Sequence, residues 1–262
     1  MSTRVAVFGA GGRMGQEVCR AIEAAADLTL VAAVDPHHAG TPLDALAGTA
    51  TGLELQEDFD VLPATQADVA VDFTVVEAAR ENLDYCAANA IHAVVGTTGF
   101  TDADLTRYRS EFSDSNCLIA PNFAIGAVLM MRFAELAAPF FESAEVIELH
   151  HDAKIDAPSG TAMMTLERMA AASADWGRDP TEHEVVPGSR GGKGPGDIPV
   201  HSLRLRGLVA HQEVLFGTTG QTLSIRHDSI DRTSFMPGVV LGVRRIVDFP
   251  GVTVGLDAVL GL

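Results

Sequence analysis

"VAVFGAGGRMG", residues 5–15, is a β-branched apolar run that breaks into four glycines. It resumes as "QEVCRAIEAAA" (16–26), where Val18, Ile22 and Ala25 recur on one helical face. Strand, glycine turn and helix in that order open a parallel α/β unit. Gly9, Gly12 and Gly15 give a G-x-x-G-x-x-G spacing; the stricter G-x-G-x-x-G form fails because Met14 stands in its last place. Glycines here let the chain turn tightly and bring backbone amides, backed by the helix dipole, close to a pyrophosphate. A tight turn with no nucleotide has the same local pattern, so the turn needs support from elsewhere in the chain.

That support begins with "LTLVAAVD" (28–35), a second apolar run that ends in Asp35. An acid about 20 residues past such a turn is placed to accept hydrogen bonds from an adenosine ribose. Arg13, His37 and His38 stand close by as positive partners for a 2′-phosphate, so NADH is favoured and NADPH stays open. "ADVAVDFT" (67–74), "HAVVGTT" (92–98) and "CLIAPN" (117–122) repeat the continuous apolar run with helical spacers between them, the signature of a parallel sheet covered on both faces. Ligands of open parallel sheets sit beyond the carboxyl ends of strands. This nominates "GTTG" (96–99) and "APNF" (120–123) for a nicotinamide ribose and amide, although ordinary strand-to-loop chemistry accounts for either one alone.

After Asn122 the texture changes. A long apolar helix runs through about Phe141, a strand "EVIELHH" covers 145–151, and a helix runs from about Ser159 to Ala174. A glycine-rich segment, "GSRGGKGPGDIP" (188–199), reads as a mobile loop, and strands follow with "TTGQ" (218–221) as a hairpin turn. This second region is α+β on an open sheet. The final stretch, 235–260, contains a helical run expected to pack back on the first region.

The 262 residues are 47% apolar, enough for a sizeable core, and carry 35 acidic against 18 basic side chains, a formal charge of −17. That balance repels a polyphosphate backbone and argues against nucleic-acid or anionic-membrane binding. An anionic ligand must instead meet locally clustered cations. Cys19, Cys86 and Cys117 form no C-x-x-C pair, so neither a disulfide framework nor a thiolate metal site is expected. The most apolar stretch, "GAVLMMRFAELAAPFF" (126–141), is interrupted by Arg132 and Glu135, and no basic-then-apolar segment precedes the first strand. A soluble, cytoplasmic protein is the expectation.

"ELHHDAKIDAPSGTA" (148–162) concentrates the chemistry. Strand alternation puts Val146, Glu148 and His150 on one face and Ile147, Leu149 and His151 on the other, so both histidines share a site only if the strand ends there. Lys154 adds a point charge. Ser159, Gly160 and Thr161 open a helix, with amides and two hydroxyls for a carboxylate. A histidine pair that merely packs or caps is the ordinary alternative. Zinc is disfavoured because His150, His151 and Asp152 are consecutive rather than spaced as ligands. Asp156 either caps the helix or orients Lys154. Arg226, His227 and Arg232 in "IRHDSIDR" (225–232) read as a solvated strand edge.

With the glycine turn, Asp35, "GTTGF", "APNFAIG" and "ELHHDAKIDAPSGTA" in this order, the chain resembles the dihydrodipicolinate reductase (4-hydroxy-tetrahydrodipicolinate reductase) family over essentially its whole length. The resemblance implies a Rossmann-type parallel-sheet nucleotide-binding domain from residues 1–122 and 233–262. It also implies an α+β substrate-binding and tetramerisation domain with an open mixed sheet from 123–232, hinged near Asn122 and Thr233, in a homotetramer. The implied reaction is NAD(P)H-dependent reduction of 4-hydroxy-2,3,4,5-tetrahydrodipicolinate, a small dicarboxylate, to tetrahydrodipicolinate in diaminopimelate and lysine biosynthesis.

On that resemblance His150 is the proton donor, Lys154 a second catalytic donor and His151 a substrate contact, while Ser159, Gly160 and Thr161 hold a substrate carboxylate. Gly9, Ala10, Gly11, Gly12, Arg13, Met14, Asp35, Gly96, Thr97, Thr98, Ala120, Pro121, Asn122 and Phe123 correspond to nucleotide contacts. Pro36 departs from the pattern, since some members carry an arginine there that grips a 2′-phosphate. Two competing readings are a two-domain dehydrogenase for a sugar or amino acid, and a nucleotide-sensing binding protein.

Overall fold

The apolar runs become strands of two separate sheets. The computed structural model describes Ser2–Leu262, and its first half alternates β1 (Thr3–Phe8), α1 (Arg13–Ala24), β2 (Leu28–Val34), α2 (Leu43–Ala47), α3 (Leu62–Thr65), β3 (Val69–Asp72), α4 (Val76–Ala88), β4 (His92–Val95), α5 (Asp102–Glu111) and β5 (Cys117–Ile119). The chain continues through α6 (Ile125–Ala137), β6 (Ser143–His150), α7 (Gly160–Ala172), β7 (Gly192–Lys193), β8 (Pro199–Arg204), β9 (Ala210–Thr218) and β10 (Gln221–Ser229). It closes with α8 (Met236–Arg245), β11 (Val252–Val254) and α9 (Asp257–Leu260). Two units result: one runs to Phe123 and is rejoined by Phe235–Leu262, and the other is Ala124–Ser234.

In the first unit the sheet order is β11-β5-β4-β3-β1-β2 and every pairing is parallel. The chain moves to one side of β1 for β2 and to the other for β3, so the winding reverses there. A crevice at the carboxyl ends of β1 and β3 is the consequence, the place where such sheets take ligands. Val5, Ala6 and Val7 are wholly buried, which is why the strand reads as an unbroken apolar run. α1 turns Val18, Cys19 and Ile22 inward; each fully buried aliphatic side chain contributes about 1.5–3 kcal/mol. The C-terminal stretch supplies α8 as expected and also a strand the sequence did not announce, β11, which pairs with β5 through Val252–Cys117 and Val254–Ile119.

The second unit is a five-stranded mixed sheet, β10-β9-β6-β8-β7, with β6 and β8 parallel and the other pairs antiparallel. Thr219 and Gly220 (φ +79°) make the tight turn between β9 and β10, as "TTGQ" predicts. Val146, Val200, Val214 and Phe216 pack on one sheet face with Ala162, Leu166 and Met169 of α7 and Ala134 of α6. Leu203 and Leu215 remain partly exposed.

Three boundaries differ from the sequence reading. α6 stops at Ala137 and tightens into a 3₁₀ turn over Ala138–Phe140, because Pro139 cannot donate to the helix ladder and crowds the preceding turn. β6 ends at His150 rather than 151, and α7 at Ala172 rather than 174. The glycine-rich segment is not wholly loop: Gly192 and Lys193 pair with Val200 and Pro199 as the sheet's edge strand. Among the described residues, no helix is long and apolar enough to cross a membrane.

Candidate active site

At the carboxyl edge of the parallel sheet, close packing demands glycine. A Cβ on Gly9 (φ +73°) would lie 2.7 Å from the Phe73 carbonyl oxygen, and one on Gly96 would lie 2.1 Å from the Phe73 ring. Phe73 is thus wedged between the turns after β1 and β4. A Cβ on Gly15 would come within 2.0 Å of the Gly9 carbonyl oxygen, so Gly15, one place beyond Met14, is where α1 closes on the turn.

α1 starts from Gly12, which offers no side-chain cap, and its first turn holds no acidic residue. α5, by contrast, closes its own start with a reciprocal Thr101–Asp104 capping box. The start of α1 therefore fits a pyrophosphate: no side chain caps it and the dipole points at the turn.

Asp35 is buried, and its carboxylate grips the turn. Oδ2 accepts from the Gly11 amide at 3.0 Å, and Oδ1 accepts from the His37 amide at 3.1 Å and lies 3.0 Å from His38 Nδ1. His38 lies against Gly11, where an added Cβ would be 2.4 Å from Nδ1. Of the three cations nominated near a 2′-phosphate, His38 is engaged with Asp35, and Arg13 and His37 are exposed.

Asp72, which no motif in the sequence marks, joins two strand ends. Its Oδ1 accepts from the Thr74 amide (3.0 Å), the Thr74 hydroxyl (2.8 Å) and the Thr97 hydroxyl (2.7 Å), and its Oδ2 accepts from Asn82 at 2.7 Å. Thr97 is buried by this network, and Thr98 beside it is exposed. After β5, the Ala120 amide bonds Val95, Pro121 is exposed, and the Phe123 ring lies 5.9 Å from Phe73. Gly9–Met14, Asp35, Gly96–Thr98 and Ala120–Phe123 all belong to the first unit.

In the second unit, β6 delivers His150 as its last residue, and His151 begins the following turn, exposed. His150 Nδ1 lies 2.5 Å from Glu148 Oε2 on the same strand face. Glu148 is wholly inaccessible to solvent and accepts a two-pronged bond from Arg204 of β8, at 2.8 and 2.9 Å, and the Ser159 amide at 3.3 Å. Burial would push its carboxyl up, but hydrogen bonds from His150, Arg204 and Ser202 outweigh burial and bring it down to about 2.

Lys154 Nζ donates to both oxygens of Asp156, at 2.7 and 2.8 Å, and that bond holds the Asp156 carboxyl below its ordinary range. Asp156 thus orients Lys154, and the cap of α7 is Ser159, whose Oγ accepts from the Ala162 amide at 3.2 Å.

Ser159 differs from its expected place beside Gly160 and Thr161. It is 4% exposed, with its hydroxyl on the helix start and its amide on Glu148, so it faces the protein rather than a ligand. Gly160 is exposed and open, and Thr161 is half-buried. Arg226 is spent on Asp228 and Glu213 along the β9–β10 hairpin, while His227 packs against Gly126 and burial lowers its pKa. Among the described residues, no group of three or more His, Cys, Asp or Glu side chains is arranged to hold a metal ion.

Comparisons with known proteins cover both units. Residues 3–123 match the family model described as dihydrodipicolinate reductase, N-terminus, and residues 126–260 match its C-terminus counterpart. The chain is 52% identical over 263 residues to 4-hydroxy-tetrahydrodipicolinate reductase of Mycobacterium sp. (strain KMS), covering 99% of each. It is 51% identical over 266 residues to the same enzyme of Cutibacterium acnes, again covering 99% of each. A solved structure, dihydrodipicolinate reductase from Paenisporosarcina sp. TG-14 bound to dipicolinate, superposes with a TM-score of 0.87 at 38% identity, over 98% of this chain and 99% of that one.

Proposed function

The chain belongs to the dihydrodipicolinate reductase family, and on that premise we propose that it reduces 4-hydroxy-2,3,4,5-tetrahydrodipicolinate to tetrahydrodipicolinate with a nicotinamide cofactor. The observation that carries the proposal is the arrangement at the end of β6. One stretch brings an imidazole anchored at Nδ1, an ammonium and an open helix start into succession.

Loss of the 4-hydroxyl as water leaves a conjugated ring imine, and a bound reduced nicotinamide would supply the hydride that this imine takes up. His150 gives the product its proton as the general acid. Lys154 and the amides of Gly160 and Thr161 neutralise the dicarboxylate that the net charge of −17 would otherwise repel, and His151 adds a second contact. Ser159 serves this pocket by fixing the start of α7.

The Gly9–Met14 turn holds the pyrophosphate. Asp35 takes the adenosine ribose: a carboxylate offers about four acceptor sites, and Gly11, His37 and His38 use three. Gly96–Thr98 and Ala120–Phe123 hold the nicotinamide end. NADH is favoured because Asp35 opposes a 2′-phosphate and Pro36 follows it, while the exposed Arg13 and His37 keep NADPH usable. The partly exposed Leu203 and Leu215 of the mixed sheet suit subunit pairing into a homotetramer, and three buried free cysteines suit the reducing cytoplasm.

The test is a coupled assay in which a synthase forms the unstable substrate from pyruvate and aspartate semialdehyde while NADH or NADPH oxidation is followed. Substrate-dependent oxidation with a higher kcat/KM for NADH is expected. No oxidation with either cofactor sinks the proposal, and light scattering checks the tetramer.

A further inference from the structure

We propose that Glu148, clamped by Arg204, is the positioning residue for the proton donor: it makes Nδ1 the protonated nitrogen of neutral His150 and leaves Nε2 as the nitrogen available to substrate. The inference rests on the assignment of His150 as proton donor. Glu148 cannot touch a substrate itself, because its side chain is fully buried.

A neutral imidazole has one donor and one acceptor nitrogen, and an ionised carboxylate can only accept. Nδ1, 2.5 Å from Glu148 Oε2, must therefore carry the hydrogen. Nε2 of the neutral ring is then bare, and it is the nitrogen that takes up the proton that His150 gives to the product. The strand pairing builds this arrangement. Glu148 and His150 share a face of β6 two residues apart, and Arg204 of β8 stands directly beside His150 in register.

Burying a carboxylate is costly unless its lone pairs are filled, and here both oxygens are. Oε1 takes Arg204 Nη2 and the Ser159 amide at the start of α7, and Oε2 takes Arg204 Nη1 and the His150 ring. Arg204 Nη2 also donates to the Asp156 carbonyl at 2.6 Å, on the loop that carries Lys154. An ion pair that only joined β6 to β8 would need neither the ring nor the helix amide. This one fixes the imidazole, the lysine loop and the helix start relative to one another, which is what sub-ångström placement of reacting groups requires.

The test is nitrogen NMR of ¹⁵N-histidine-labelled protein at alkaline pH, with His150→Gln used to assign the resonances. His150 is expected as the Nδ1–H tautomer, and in Glu148→Gln, whose amide can present an N–H to the ring, it is expected to change to Nε2–H. Glu148→Gln should lower kcat on the order of 10²-fold, while the Kd for NADH by calorimetry stays within about 2-fold. An Nε2–H tautomer in the wild-type protein overturns the proposal, as does a folded Glu148→Gln with near-wild-type kcat. If Glu148→Gln fails to fold, the wild-type spectrum decides alone. A wild-type protein without reductase activity would instead refute the function assigned above and leave the tautomer result standing.

Discussion

Replacing Asp156 with asparagine should tighten dicarboxylate binding. The Asp156 carboxylate occupies the Lys154 ammonium with both oxygens, so an incoming carboxylate has to compete for it. The Asp156 side chain is 58% exposed and that of Lys154 20%, and a solvated pair of this kind is worth about 0.2–1 kcal/mol. A substrate carboxylate sharing the ammonium would also stand about 6 Å from the Asp156 charge, a repulsion of ~0.7 kcal/mol in a water-like dielectric. Both contributions have the same sign, so Asp156→Asn gains about 1–1.7 kcal/mol, or roughly 5- to 20-fold in Kd. The assay is calorimetric titration with pyridine-2,6-dicarboxylate. The gain should shrink between about 0.1 and 1 M salt, as the screening length falls from ~10 to ~3 Å. Unchanged or weaker binding at low salt would refute the reasoning, because it would mean that Lys154 does not meet the ligand or that Asp156 holds it in the productive place.

His150→Gln should lower kcat on the order of 10²- to 10⁴-fold with an unchanged circular dichroism spectrum, and near-wild-type turnover would remove His150 from proton delivery. Gly11→Ala puts a Cβ 2.4 Å from His38 Nδ1 and 2.8 Å from Asp35 Oδ2. NADH binding should then weaken by roughly 10-fold or more while dicarboxylate binding holds, and equal loss of both would mean general damage. Acid should destabilise the chain through Glu148. Its folded carboxyl lies near 2, below the ordinary 4.5, so its contribution is complete above about pH 4.5 and is lost as pH falls towards 2. Urea midpoints should fall across that window in the wild-type protein and less steeply in Glu148→Gln; identical pH profiles would contradict the assignment.

The parallel sheet was legible because strands covered on both faces need no alternation and stand out as unbroken apolar runs, each ending at the edge where ligands bind. β11 was not, since Val252–Val254 is three residues long and becomes a strand only by lying beside Cys117–Ile119. The same distinction separates the site residues. His150, Lys154, Gly160 and Thr161 were visible as neighbours in one stretch. A group that meets a ligand keeps bonding capacity spare and stays near the surface, and a local cluster of such groups advertises itself. A group that positions another must spend its bonding capacity inside the protein, and its partners come from wherever the sheet register puts them. Glu148 finds Arg204 56 residues away, Asp72 finds Thr97 25 away, and Asp35 finds the Gly11 amide 24 away. The first two separations belong to no motif, and the motif that marks Asp35 announces a ribose contact rather than a bond to Gly11. Ser159 marks the border between the two kinds: adjacent in sequence to the residues proposed to meet the substrate, it is drawn inward because α7 needs a cap and Glu148 needs a donor. A serine at a helix start is therefore ambiguous in sequence until the carboxylate buried beneath it has been found.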